Sequence, residues 1–224
     1  MSKELKNEKE KEAVVVEAVS RTELFFQKYT KLILSILAVF VLVGAGLFCY
    51  YKFVHQPVVE EALGQMYPAE ASFREGEFEL ALNGDGNVLG FAQIAKEYGS
   101  KAGKSVYFYA GVCELQLGNY ESALKYLRSY NGKDAILAAR AEACKGDAYV
   151  GLENYKEALK CFESAAGRID NIFAATYLLK AGAVCEKMGD DAKALAFYKR
   201  IKDQYPNSTE GYDIDKYISR IENK

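Results

Sequence analysis

The sequence predicts an all-α chain: one long apolar helix, then a solenoid of paired helices. Three observations carry that prediction. Residues 32–51 hold no charged side chain. A motif built on small and aromatic residues recurs three times further on. Only 3 prolines occur in 224 residues, so long helices go uninterrupted.

The recurring motif is Leu117-Gly118-Asn119-Tyr120-Glu121-Ser122-Ala123-Leu124, then Leu152-Glu153-Asn154-Tyr155-Lys156-Glu157-Ala158-Leu159, then Met188-Gly189-Asp190-Asp191-Ala192-Lys193-Ala194-Leu195. Each copy is a tight polar turn opening onto an apolar helical face. A glycine stands twelve residues before each small alanine: Gly111 before Ala123, Gly146 before Ala158, Gly182 before Ala194. The alanines are separated by 35 and then 36 residues. Paired helices at a fixed period of about 34 residues indicate a helical solenoid.

Residues 1–31 carry 7 Lys/Arg against 6 Glu and form a soluble charged tail, with an amphipathic helix expected over 21–30. Residues 32–51 match the roughly 30 Å of a bilayer core at about 1.5 Å per residue. Tyr29 precedes the stretch and Tyr50 and Tyr51 end it, as interfacial aromatics do. Arg21, Lys28 and Lys31 flank the N-terminal side, against Lys52 alone on the other. That bias places the N-terminus in the cytoplasm and residues 52–224 across the membrane. The small residues Val43-Gly44-Ala45 offer a signal-peptidase site, but the long leader and the apolar run beyond it favour an uncleaved anchor.

Residues 52–68 form a connector in which Pro57 is expected to interrupt the helix. Pro68 is then expected to open a helix over 69–82, ended by the breaker run Asn83-Gly84-Asp85-Gly86-Asn87. That run lacks the ligand spacing of a calcium loop and predicts a turn. A further helix follows over 88–98. Extending the register back by 36 from Ala123 puts Asn87 in the small-residue slot, so 69–103 is a degenerate first repeat. The clear repeats occupy 104–138, 139–174 and 175–208, and 209–224 carries a helical stripe suited to capping.

At these residues the chain resembles the tetratricopeptide repeat (TPR) family, whose pattern asks for glycine, aromatic, alanine, aromatic, alanine and proline at fixed places. Gly146, Tyr149, Ala158, Phe162 and Ala165 fill five of the six in the middle repeat. Gly182, Ala194, Tyr198 and Pro206 fill four in the last, and Gly111 and Ala123 two in the one before. A charged tail, one anchor and an exported repeat domain together resemble the ancillary subunit of the bacterial SecYEG translocon. The tracts Gly99-Ser100-Lys101-Ala102-Gly103-Lys104, Tyr107-Phe108-Tyr109-Ala110-Gly111 and Tyr205-Pro206-Asn207-Ser208-Thr209-Glu210-Gly211 are similar to that group. The resemblance implies an inner-membrane protein with a periplasmic TPR domain, and partners among the translocon and a periplasmic chaperone or prolyl isomerase. The same repeats would also suit a scaffold for cell division or outer-membrane assembly.

In TPR proteins the first helix of each pair lines a concave groove. Carried over, its positions fall on Phe108, Val112 and Leu115, on Arg140, Ala143, Asp147 and Val150, and on Leu179, Ala183, Glu186 and Lys187. Phe108 and Val112 stand where a carboxylate clamp needs lysine and asparagine, so the groove is expected to take an apolar or aromatic segment. The competing reading is that the cap or the connector packs there and makes these residues core.

No nucleophile elbow, phosphate-binding glycine loop or metal-ligand spacing is present, so neither catalysis nor a cofactor is expected. The net charge of −2 gives no argument for nucleic acid. Of the five cysteines, Cys113, Cys144, Cys161 and Cys185 fall on predicted helices as small buried hydrophobes, although spacing leaves a disulfide open. Cys49 lies in the span, after a Phe48 that fits a lipoprotein signal poorly.

Overall fold

The computed structural model describes residues 28–223. The charged tail up to residue 27, and most of the helix expected over 21–30, lie outside the described residues. The chain divides into two units at Pro57 and Val58. In the first, residues 28–50 are helical (α1), and their apolar side chains are exposed along the whole length. The mean hydropathy of this segment reaches 2.8. A helix apolar on every face, with none of its most apolar stretch buried, has the composition of a membrane span or of a signal sequence.

Pro57 does not interrupt the helix. Tyr51–His55 forms a π-helical turn, with the Gln56 amide donating to the Tyr51 carbonyl five residues back, and α2 (Gln56–Glu75) follows directly. A proline ring clashes with the carbonyl four residues earlier in an α-helix, and the wider π turn relieves that crowding. Pro68 likewise sits inside α2 rather than opening a new helix. The carbonyl it leaves without a partner belongs to Gly64, which is exposed to solvent.

Among the described residues of the second unit the regular structure is all helix, apart from one isolated bridge. The expected helix over 69–82 is in fact two: α2 ends at Glu75, and α3 (Phe78–Asn83) begins after a two-residue turn. A glycine-rich loop leads to α4 (Phe91–Glu97) and a 3-10 turn, Gly99–Ala102. Three regular pairs follow: α5 (Ser105–Gln116) with α6 (Tyr120–Ser129), α7 (Ala135–Gly151) with α8 (Tyr155–Arg168), and α9 (Phe173–Lys187) with α10 (Asp191–Gln204). The last helix is α11 (Thr209–Glu222).

The pairs share one turn. At its first-helix end the backbone becomes left-handed at Gly118, Glu153 and Gly189, with φ of 79°, 57° and 77°. In each case the next amide donates back five residues: Asn119 to Glu114 at 2.8 Å, Asn154 to Tyr149 at 2.8 Å, Asp190 to Cys185 at 2.9 Å. This is the Schellman ending of a helix. Gly76, with φ of 80°, and Glu77, donating to Ser72 at 2.9 Å, make the same turn between α2 and α3. The first repeat is therefore α2 with α3 and α4, its turn glycine is Gly76 and its small residue is Ala81, which is fully buried. Asn87, which the register extension put in that slot, is exposed in the loop. The extension fails because the loop after Asn83 lengthens this repeat.

Pairs close where a glycine lets the second helix approach. A Cβ on Gly146 would meet the Phe162 ring at 2.6 Å, on Gly182 the Tyr198 ring at 2.2 Å, and on Gly111 the Leu127 side chain at 2.6 Å. The side chain an added Cβ on Gly146 would meet first is thus Phe162, about one turn beyond Ala158 on α8. Polar links between adjacent repeats step by one period: Asp147 to Lys180, Asp170 to Tyr205, Thr176 to Glu210 and Glu186 to Arg220. The last two join α9 to α11, so α11 occupies the place of the first helix of a further pair. It buries Ile214 and Ile218 and turns Asp213, Asp215, Lys216 and Ser219 outward, which suits an end cap.

Candidate protein-binding groove

The inner faces of α5, α7 and α9 enclose a cavity of about 380 Å³. Its floor is Val112 from α5, Ala143 and Cys144 from α7, and Tyr177 from α9, all buried. Two exposed apolar side chains, Ile136 and Phe173, stand at one end, where α7 and α9 begin. At the other end Lys180 donates to both Asp147 carboxylate oxygens at 2.7 Å. Arg140 lies between, its guanidinium 5.9 Å from the centre of the Phe108 ring, close enough for a cation–π contact.

Of the residues carried over from the family pattern, the structure brings Val112, Leu115, Arg140, Ala143 and Asp147 together around this cavity. Phe108 lies underneath. It is 3 % exposed, packs edge-on to Tyr109 and Tyr130, and belongs to the core cluster of Ala123, Leu124 and Leu127. Phe108 is thus a core residue, buried by its own repeat and the next rather than by the cap or the connector.

Val150, Ala183 and Lys187 are exposed and do not line the cavity. Leu179 packs on the C-terminal core cluster. Glu186 is engaged by the Tyr198 hydroxyl and by Arg220, both at 2.6 Å. At this position α11 makes contact through Arg220.

Sequence reasoning missed Gln116, Ile136, Cys144, Phe173, Thr176, Tyr177 and Lys180. The pattern counted the same positions in every repeat. The cavity instead crosses the helices obliquely, drawing on the C-terminal turns of α5, on α7 from Ile136 to Asp147 and on the first turns of α9. Ile136, one turn before Arg140 on α7, was the available signal.

The buried thiols are chemically quiet. Burial first, then Asp147, pushes the Cys144 thiol up to about 11, and burial pushes Cys113 up to about 12. Raised thiols stay protonated and are poor nucleophiles at neutral pH. All five cysteines are unpaired; Cys113, Cys144 and Cys185 are buried, while Cys161 is half-buried. The Asn83–Asn87 run is a closed turn: the Asp85 carboxylate accepts from the Asn87 and Val88 amides at 2.8 and 3.0 Å. Those amides, Val88 first, hold its carboxyl below the usual range.

Family models described as tetratricopeptide repeat match residues 145–209 and 105–133. These segments are tetratricopeptide repeats. The fold is similar to the crystal structure of the MamA protein, with a TM-score of 0.57 at 18 % identity over 73 % of this chain and 84 % of that one. No curated protein matches the chain by sequence. The repeats indicate a protein-interaction scaffold rather than a catalytic domain.

Proposed function

We propose that this chain is a membrane-anchored, non-enzymatic adaptor whose repeat unit offers a protein-binding groove on the periplasmic face of a bacterial inner membrane. One observation carries the reading: an uncharged helical stretch of bilayer length, residues 32–51, and a run of interaction repeats stand in the same chain. The excess of Arg21, Lys28 and Lys31 over Lys52 supports a cytoplasmic N-terminus. Tethering at the membrane raises the effective concentration of the repeats near any membrane-bound partner, so modest intrinsic affinity suffices.

The partners are the SecYEG translocon and a periplasmic chaperone or prolyl isomerase. This finer reading is supported by the resemblance of the tracts around Gly99 and Tyr205 and by the single-span layout. Crosslinking in native membranes, followed by identification of the captured proteins, tests it; translocon components should be enriched. Division or outer-membrane assembly factors without any translocon component would replace it with the alternative scaffold. Protease added to spheroplasts tests the topology: it should remove the repeats and spare the tail. Repeats that stay protected until the inner membrane is broken would overturn that orientation.

A further inference from the structure

The groove also says something about its ligand. Its charged lining consists of Arg140, Asp147 and Lys180. Asp147 and Lys180 neutralise each other at 2.7 Å. Arg140 forms no ion pair with any carboxylate among the described residues, and its contact is the Phe108 ring. Glu70 and Arg74 on α2, which act with Arg140 on the Tyr109 hydroxyl, have opposite signs. The cavity therefore carries one uncompensated positive charge, held over a buried aromatic face. Guanidinium groups favour carboxylates because their planar donors match two oxygens at once.

Position adds a second constraint. Arg140 follows Ile136 by about one helical turn on α7, four residues or roughly 6 Å along the axis. Phe173 lines the same end of the cavity from α9, and Ile136 and Phe173 are 50 % and 53 % exposed. Large apolar side chains left in solvent at the mouth of a cavity with an apolar floor gain from being covered.

Resting on the reading of this cavity as a protein-binding groove, we propose that it selects partner segments bearing an aspartate or glutamate side chain about one helical turn from a large apolar side chain. The carboxylate lies on Arg140, and the apolar group lodges between Ile136 and Phe173. The Asp147–Lys180 pair closes the far end without attracting charge of either sign. The carboxylate comes from a side chain rather than a chain end: Phe108 and Val112, at the positions where a carboxylate clamp needs lysine and asparagine, are buried and apolar, and Lys180 is held by Asp147.

The test is an array of random nonapeptides with both ends blocked, probed with the full chain in mild detergent and repeated with free C-termini. Bound blocked peptides should be enriched in Asp or Glu within four positions of Phe, Leu or Ile. R140Q should lose the acidic preference and keep the apolar one. R140E should exchange it for Lys and Arg, a gain that misfolding could not produce. F173S should keep the acidic preference and lose affinity by about tenfold or more, as removal of a large apolar contact entails. Blocked peptides bound without acidic enrichment, or an enrichment that survives R140Q, would sink this inference while leaving the groove reading intact. Binding only of peptides with free C-termini would also overturn it. If no peptide bound at all, the groove reading itself would fall.

Discussion

The first repeat and the middle repeat solve the same packing problem with different backbones. In the middle repeat, α8 is one helix of 14 residues, and it runs unbroken from the buried Ala158 past Phe162 to Ala165. In the first, the corresponding helix is cut into α3 and α4, with Ala81 and Leu82 buried on one side of the loop and Phe91 and Ile94 on the other. The first helices differ too: Ala69 stands twelve residues before Ala81, where the later repeats have Gly111, Gly146 and Gly182. What both repeats keep is the turn, with its left-handed residue and its amide reaching back five residues. The shared unit is thus a turn with a small buried residue five positions beyond its left-handed one, and the length of the second helix can vary around it.

The largest test falls on α5, where the two regions meet. Its Val106, Ala110 and Cys113 pack with the first repeat, and its Phe108 and Val112 with the next pair. Phe108→Ala should cost about 3–5 kcal/mol, the usual range for a buried phenylalanine, and lower the melting temperature of the full chain in detergent. Because solenoid repeats are stabilised by their neighbours, the loss should register on both sides of α5 in hydrogen exchange. A normal melt would return Phe108 to the groove surface.

Next comes the loop that splits the first repeat. A Cβ on Gly90 would lie 2.3 Å from the Leu82 carbonyl oxygen and 2.4 Å from the Gly84 amide nitrogen. Backbone atoms cannot swing aside as a side chain can. Gly90→Ala should cost on the order of 3 kcal/mol, at the upper end of overpacking. Gly146→Ala in the middle repeat meets the Phe162 ring, itself 1 % exposed, and should cost about 1–3 kcal/mol. Ala69→Gly, at the equivalent place in the first repeat, opens no clash and should cost the helix penalty of glycine plus one buried methyl, about 1–2 kcal/mol. A larger loss for Ala69→Gly than for Gly146→Ala in thermal melts would show that the two slots are not equivalent.

These contrasts explain what could be read in advance. The three regular pairs, their period and the α11 cap were legible because Gly111, Gly146 and Gly182 recur in step with Ala123, Ala158 and Ala194, and close helix contacts restrict residue type at those places. The first repeat was misplaced because its register was counted back at constant period across an inserted loop. The local signal was present: Gly76-Glu77-Phe78-Glu79-Leu80-Ala81-Leu82 parallels Gly118-Asn119-Tyr120-Glu121-Ser122-Ala123-Leu124. The groove was half legible. Family positions located Arg140, Ala143 and Asp147, but no pattern within one repeat records the oblique path that brings Phe173 and Lys180 to them.

The smallest expected effect is a stabilisation, and it tests the shared turn most directly. Three of the four turns place glycine at the left-handed position, and the middle repeat alone places a side chain there, Glu153 with φ of 57°. A Cβ in that conformation crowds the following carbonyl, at roughly 1–2 kcal/mol. Glycine removes the crowding but gains freedom in the unfolded chain, which offsets part of the benefit. Glu153→Gly should therefore raise stability by about 0.5–1 kcal/mol, or roughly 2 °C in melting temperature for a chain of this size. The reverse exchange is clean at Gly118, where no atom lies within 4 Å of an added Cβ, so Gly118→Ala should be destabilising by a similar amount through backbone conformation alone. If Glu153→Gly lowered the melting temperature, the Glu153 side chain would have to make a contact worth more than the strain, and the middle turn would not be interchangeable with the other three.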